Sequence, residues 1–379
     1  MSGIYLHIPF CKQACYYCDF HFSTSLKKKD EVLQAIHTEL SLRKNELQND
    51  QVETIYFGGG TPSLLSVHEL NEIVEAIHKN YNVVSNPEIT IEANPDDLFE
   101  GKIKEIAESE VNRLSIGIQS FFEEDLKLMN RAHNAKEAAH CLELTTKYFT
   151  NISIDLIYGI PQMTEERWLQ NIQKALSFSV PHISAYALTV EPNTALQKFI
   201  SKGLIAPVDD EVANKHFNLL VALLEAQNFK HYELSNFGKE GFFSKNNTAY
   251  WQQKKYLGIG PSAHSYDGIG RSWNVANNSI YVNKMIQGIL PSEREELSLT
   301  DQYNEYIMTG LRTQWGVSLK RVNEKFGDIY TEYLLKQAEK YLLDNYLYLD
   351  EDILRTSRKG KFLSDGIASD LFLLNLESK

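Results

Sequence analysis

From its first residues to about position 190 the chain alternates short β-rich runs with stretches of helical spacing, and each run ends in a polar or glycine-rich turn. The pattern predicts strands over 4–7, 54–57, 88–92, 113–118, 152–157 and 182–188. Good helix formers at helical spacing predict helices over 28–45, 66–80, 98–109, 135–148 and 165–178. Strands joined by helix-length crossovers pair in parallel, so these six strands and five crossovers predict an α/β array, closed or left as a partial parallel (β/α)6 barrel. Right-handed crossovers gather the loops that follow the strands at one end, and ligands bind there.

After about residue 195 the alternation stops. A helix over 211–227 and a strand over 230–234 lead into a Gly-, Asn- and aromatic-rich stretch with no readable period. From 299 onward, helical patterns over 301–314, 319–326 and 330–344 precede a β pair at 347–349 and 353–356 and a final helix. Three helices and a small wing predict a C-terminal helical, winged-helix-like domain, which serves either DNA or as a lid. The chain thus divides into 1–195, 196–298 and 299–379. Charge argues against nucleic acid: 38 basic and 50 acidic side chains leave a net charge of −12, which repels a phosphate backbone. With 43% hydrophobic and 23% charged residues, and no apolar run of membrane-spanning length, the composition is that of a globular protein without a transmembrane segment. The opening Met-Ser-Gly-Ile-Tyr-Leu-His lacks the basic and apolar stretches of a secretory signal, which predicts a cytoplasmic protein.

Three of the four cysteines, Cys11, Cys15 and Cys18, fall within eight residues just past the first strand, while Cys141 stands alone on a helix-like stretch. In a reducing compartment the crowding predicts a metal centre, with Cys141 a small core residue. Three thiolates can hold a four-iron cluster and leave one iron open to a ligand. A zinc site completed by His7 or His21 is the competing reading, although zinc ligands usually come in two separated pairs. In Ile55-Tyr-Phe-Gly58-Gly59-Gly60-Thr61-Pro62 the second strand runs into three glycines. Their backbone can approach a ligand closely, and free N–H groups there can bond a carboxylate. Further along, Glu92, Gln119, Arg131 and Asp155 stand at four successive strand ends. Each alone reads equally well as a solvated loop residue; together they can satisfy an amino acid zwitterion and ribose hydroxyls.

Cys-x3-Cys-x2-Cys at the end of the first strand of a parallel α/β domain resembles the radical S-adenosylmethionine (SAM) superfamily. The resemblance implies a barrel of radical SAM type, a [4Fe-4S] cluster on Cys11, Cys15 and Cys18, and SAM chelated by the open iron. One electron from an electron donor then cleaves SAM to a 5′-deoxyadenosyl radical. Tyr17 stands where an aromatic often lies against the cluster. The segments around the four rim residues resemble the branch that holds heme chaperones of the HemW type and oxygen-independent coproporphyrinogen III oxidases. So do Tyr232-Glu-Leu-Ser-Asn236-Phe, Asn247-Thr-Ala-Tyr250-Trp251 and Gly258-Ile-Gly-Pro-Ser-Ala-His264-Ser. On that likeness Tyr5, Gly59, Gly60, Thr61, Glu92, Gln119, Arg131 and Asp155 line the SAM pocket. The oxidases carry an N-terminal extension and a further cysteine two positions after the third ligand. Here the first strand begins at Ile4 and Asp19-Phe20 follows Cys18, which matches the chaperones. The chaperone branch implies heme or porphyrin as ligand and heme-acceptor proteins as partners, with coproporphyrinogen oxidation the alternative. One position departs: the usual His-Asn-x-x-Tyr-Trp reads Asn246-Asn247-Thr-Ala-Tyr250-Trp251. Heme is then held more weakly, or by another residue such as His264 or His231.

Overall fold

A computed structural model describes residues 2–47 and 50–374; the last residues of the third expected segment, 375–379, lie outside them. Strands β1 (Ser2–Ile8), β2 (Val52–Gly59), β3 (Val83–Ala93), β4 (Arg113–Gln119), β5 (Ile152–Tyr158) and β6 (His182–Ala187) lie side by side in chain order. All five neighbouring pairs are parallel. Successive side chains of a strand point to opposite faces, and here the two faces differ sharply. One carries Ile4, Leu6, Ile55, Phe57, Ile91, Leu114, Ile116, Ile154 and Ile183, each fully buried beneath the crossover helices. Burying each contributes about 1.5–3 kcal/mol. The other carries Tyr5, Tyr56, Glu92, Arg113, Ser115, Ser153, Asp155, His182 and Ser184, which line an internal cavity. The barrel is apolar outside, where the helices cover it, and polar inside.

The helices that cover it are Lys29–Leu42, Val67–Asn80, Glu100–Ala107, Ala135–Thr145 and Glu165–Ser177. Ser66 and Asn134 begin two of them with capping boxes to Glu69 and Glu137. A further short helix, Glu123–Leu128, was not expected, because a single turn and a half shows no period. β3 also begins earlier than expected, at Val83, because its first residue pairs with Val52 beside the start of β2.

The stretch without a period builds both flanks of the sheet. β7 (Lys230–Glu233) and β8 (Asn236–Gly238) extend it beyond β6 in antiparallel sense. On the other flank β9 (Lys255–Ile259) pairs in parallel with β1, and β10 (His264–Tyr266), β11 (Gly270–Asn274) and β12 (Ser292–Glu296) follow antiparallel. A buried carboxylate latches this flank to the first helix. Glu39 accepts hydrogen bonds from Arg43 (2.9 Å), Asn274 (2.7 Å), the Gly260 amide (2.8 Å) and Tyr281 (2.5 Å). The helix Lys245–Trp251 packs across β1, β2 and β9.

The C-terminal part has its own core, running from Tyr303 to Leu371. It comprises helix Leu299–Leu311, β13 (Val317–Ser318), helices Leu319–Phe326 and Asp328–Leu343, β14 (Leu347–Asp350), β15 (Ile353–Thr356) and helix Ser364–Asp370. The strands pair in the order β13-β15-β14, the helices-plus-wing arrangement that the sequence predicts. Among the described residues no helix is long and apolar enough to cross a membrane.

Candidate functional site

Cys11, Cys15 and Cys18 are free, half-buried thiols on the loop that leaves β1. Each sulfur has a hydrogen-bond donor beside it: the Thr61 hydroxyl at Cys11, the Arg131 guanidinium 3.3 Å from Cys15 Sγ, and the Phe20 amide at Cys18. Such donors stabilise thiolates and tune iron–sulfur clusters. Burial acts the other way, raising the Cys11 thiol and pushing Cys18 up to about 11, so thiolates here call for cationic metal. Three cysteines with donors at every sulfur fit a [4Fe-4S] cluster. Among the described residues no three His, Cys, Asp or Glu side chains converge on a single-ion site. In a cluster each thiolate meets its own iron, so its ligands stand further apart. Cys141 is buried in its helix beside Thr145.

The glycine turn works differently from expectation. Its amides are not free: Gly60 N–H donates to Ile8 O (3.0 Å), Thr61 N–H to Phe10 O (2.6 Å), and Gly59 N–H to the Glu92 carboxylate. The first two tie the entry of the cysteine loop to the end of β2, and the third ties β2 to β3. Glycine is needed because a Cβ on Gly60 would sit 2.6 Å from the Ile8 and Phe10 carbonyl oxygens. On Gly59, where φ is +100°, it would sit 2.5 Å from His7 Nδ1.

Two of the four rim residues are not at strand ends. Asp155 lies in the middle of β5, and Arg131 follows the unexpected short helix and Asn130. Glu92 is the last residue but one of β3 and Gln119 closes β4, with φ of +65°. Arg131 donates to Asn94 Oδ1 (2.5 Å), Gly117 O (3.0 Å), Tyr17 OH and Cys15 Sγ (both 3.3 Å). Asn94 in turn donates to Thr61 (3.2 Å), and Gln119 lies beside Arg131 at Gly117. Cys15, Tyr17, Thr61, Asn94, Gln119 and Arg131 therefore form one neighbourhood. Asn94 is its unforeseen member, visible in the sequence only as the polar residue before Pro95.

Tyr5, Gly59, Glu92 and Asp155 instead line a cavity of about 700 Å³ inside the barrel. Tyr56 donates to Glu92 (2.8 Å), yet burial and the Asp155 charge push Glu92 up to about 7. Burial likewise raises Asp155 to about 6. His7, held through Nε2 at 2.9 Å from His21 O, is lowered to about 4 by burial and is neutral at neutral pH. Arg113, Ser115, Ser153, His182 and Ser184 share the cavity. The signal that finds them is the alternation within their strands, Arg-Leu-Ser-Ile, Ile-Ser-Ile-Asp and His-Ile-Ser, polar at every second position.

At the cavity's other end stands an aromatic ledge. Tyr250, 51% exposed, packs tilted on Tyr256 (5.0 Å between rings) and edge-on to Trp251 (6.0 Å), and all three line the cavity. Asn246 also lines it, its Oδ1 accepting from Thr54 (3.0 Å). Of the two histidines considered as substitutes, His264 is exposed and lines the cavity. His231 does not: it is buried against Phe237, with Nε2 2.9 Å from Leu234 O and Nδ1 2.9 Å from Lys361 Nζ. With both ring nitrogens engaged, it is withdrawn as a heme ligand.

Residues 5–175 match the family model of the Radical SAM superfamily, and residues 297–363 that of the HemN C-terminal domain. The chain is 34% identical to the heme chaperone HemW of Bacillus subtilis (strain 168) over 375 residues, covering 97% of this chain and 98% of that one. It is 33% identical to the heme chaperone HemW of Lactococcus lactis subsp. lactis (strain IL1403), over 98% of this chain and 97% of that one. Among solved structures, the coproporphyrinogen III oxidase HemN of Escherichia coli, described as a radical SAM enzyme, superposes with a TM-score of 0.85. That match covers 98% of this chain and 89% of the other at 21% identity, a likeness of fold.

Proposed function

Because the chain belongs to the HemW family of the radical SAM superfamily, we propose that it is a cytoplasmic heme chaperone that takes up heme and passes it to acceptor proteins. The observation that carries this reading is a cavity that brings Tyr5, Gly59, Glu92 and Asp155 together with the aromatic ledge. Cys11, Cys15 and Cys18 would hold the cluster, and Tyr5, Gly59, Gly60, Thr61, Glu92, Gln119, Arg131 and Asp155 would hold SAM. Bound together, and reduced by an electron donor, the two supply one-electron chemistry. The chain's own groups do the rest. Arg131 braces the cysteine loop against β4, the Gly60 and Thr61 amides fix that loop to β2, and Tyr250, Trp251 and Tyr256 offer flat faces to a macrocycle. Two separate cores support treating 1–298 and 299–379 as distinct units, with 1–195 the barrel proper and 196–298 its flanks.

Heme titration of the anaerobically reconstituted chain tests the reading, followed by mixing with an apo-cytochrome. Saturable binding and transfer are expected, and absence of both overturns it. The same protein given dithionite, SAM and coproporphyrinogen should form no protoporphyrinogen; its formation would move the chain to the oxidase reaction.

A further inference from the structure

Arg113 opens β4, Ser153 is the second residue of β5 and His182 opens β6, so all three stand at the barrel end opposite the cysteine loop. Six steps along β4 separate Arg113 from Gln119, about 20 Å at ~3.3 Å per residue. Arg113 is only 2% exposed, yet it lines the cavity. Among the described residues its guanidinium donates no hydrogen bond, and Nε is buried without a partner. Its ion pair with Glu88 is 4.0 Å long. The two Glu88 oxygens already accept from the Lys245 and Asn246 amides, each at 3.1 Å. Asp155, the other carboxylate whose charge reaches Arg113, accepts from the Ser115 and Ser184 hydroxyls. A guanidinium presents five donors in a planar fork, and leaving them unmatched in a desolvated site is costly. A second donor on the same cavity, Trp251 Nε1, is also buried without a partner.

We propose that this floor is a carboxylate receptor, with the Arg113 fork engaging both oxygens of a ligand carboxylate. Above the fork the walls carry the rings of Tyr5, Tyr56 and Tyr186 beside the Glu92 and Asp155 carboxyls, flat faces that suit a broad ring. A tetrapyrrole propionate has this chemistry, whereas the methionyl carboxylate of a SAM held at the cysteine loop lies at the far end of the barrel. The tetrapyrrole assignment rests on the heme-chaperone reading; the receptor itself does not.

The test uses the cluster-loaded full-length chain, with mesoporphyrin IX, its dimethyl ester and SAM as probes. Wild type should bind the free porphyrin roughly ten- to a hundredfold more tightly than the ester, the reach of a charge-assisted hydrogen bond. Arg113→Gln should abolish that preference and leave ester affinity unchanged, while Arg113→Lys, which keeps the charge without the fork, restores part of it. Circular dichroism and the urea midpoint identify variants that fold. SAM, held at the cysteine end, should bind both variants as it binds wild type. If folded Arg113→Gln keeps the preference for the free porphyrin, or wild type shows no preference, or only SAM affinity falls in the variant, the receptor is overturned. Heme binding that persists in that case leaves the chaperone reading intact.

Discussion

Glu92 illustrates how a single buried residue makes the molecule sensitive to pH. Unfolded, it ionises near 4.5, whereas in the barrel burial and Asp155 hold it at about 7. Between those values folding takes up a proton. The stability this contributes is complete below the unfolded value and is lost as pH rises through the folded one; Asp155, raised from 3.8 to about 6, behaves alike. Buried histidines such as His7, lowered to about 4, run the other way, so the acid is read by difference: between about pH 5 and about pH 8 Glu92→Gln should gain stability relative to the parent chain. Urea midpoints at the two pH values decide it, and parallel changes in the two proteins would refute the assignment. At the cysteine loop, Cys11→Ala, Cys15→Ala and Cys18→Ala should each abolish the brown iron–sulfur chromophore after reconstitution, with Cys141→Ala leaving it intact. Absorbance and iron analysis check this, and a cluster surviving loss of Cys15 would sink it. These cysteines and the glycine turn were legible in the sequence because covalent spacing alone brings them together. Asn94 was not, since it acquires its role only where β2, β3 and the Arg131 loop meet. The glycine amides were misjudged for the same reason: what occupies them comes from the neighbouring chain segment.

At the scale of elements, periodicity carried the prediction as far as it existed. All six parallel strands were legible because each alternates over several residues between long helices. Of the flanks only β7 was, because β8 and β10 are three residues long, and β8 and β9 pair with β6 and β1, distant in sequence. The helix Lys245–Trp251 shows what this concealed. A helix of seven residues holds little stability of its own. It is fixed instead by the Ser244 cap and by Glu88, which accepts from its first two amides. That fixing sets Asn246, Tyr250 and Trp251 on the cavity wall. Tyr250→Ala should weaken heme binding by about 1 kcal/mol through loss of a packing face. Asn246→His should tighten binding and sharpen the Soret band, since imidazole is the better axial ligand. A heme titration in which both variants match wild type would show that heme does not use this helix.

For the whole molecule, Arg312 is one of several residues that join the two cores. Arg312 reaches from the C-terminal domain to Glu233, which is 1% exposed (3.1 Å), pairs with Asp365 (2.6 Å), and covers the Trp251 ring (4.8 Å). Arg312→Ala would leave Glu233 buried without its cation and should cost about 3 kcal/mol, read from urea unfolding. A change within error would mean that the domains are held by other contacts. The order of strands carries a consequence for biosynthesis. β1 leaves the ribosome before the other strands of its sheet, but one of its two edges is paired by β9, from Ser2 with Lys255 to Leu6 with Ile259. At ~5–20 residues per second, that edge stays open for on the order of 10–50 s while the intervening chain is made. Its row of unpaired amides and carbonyls is then a template for a neighbouring nascent chain. Synonymous slow codons placed between β2 and β9 should lower the soluble yield, whereas the same codons after β9 should not.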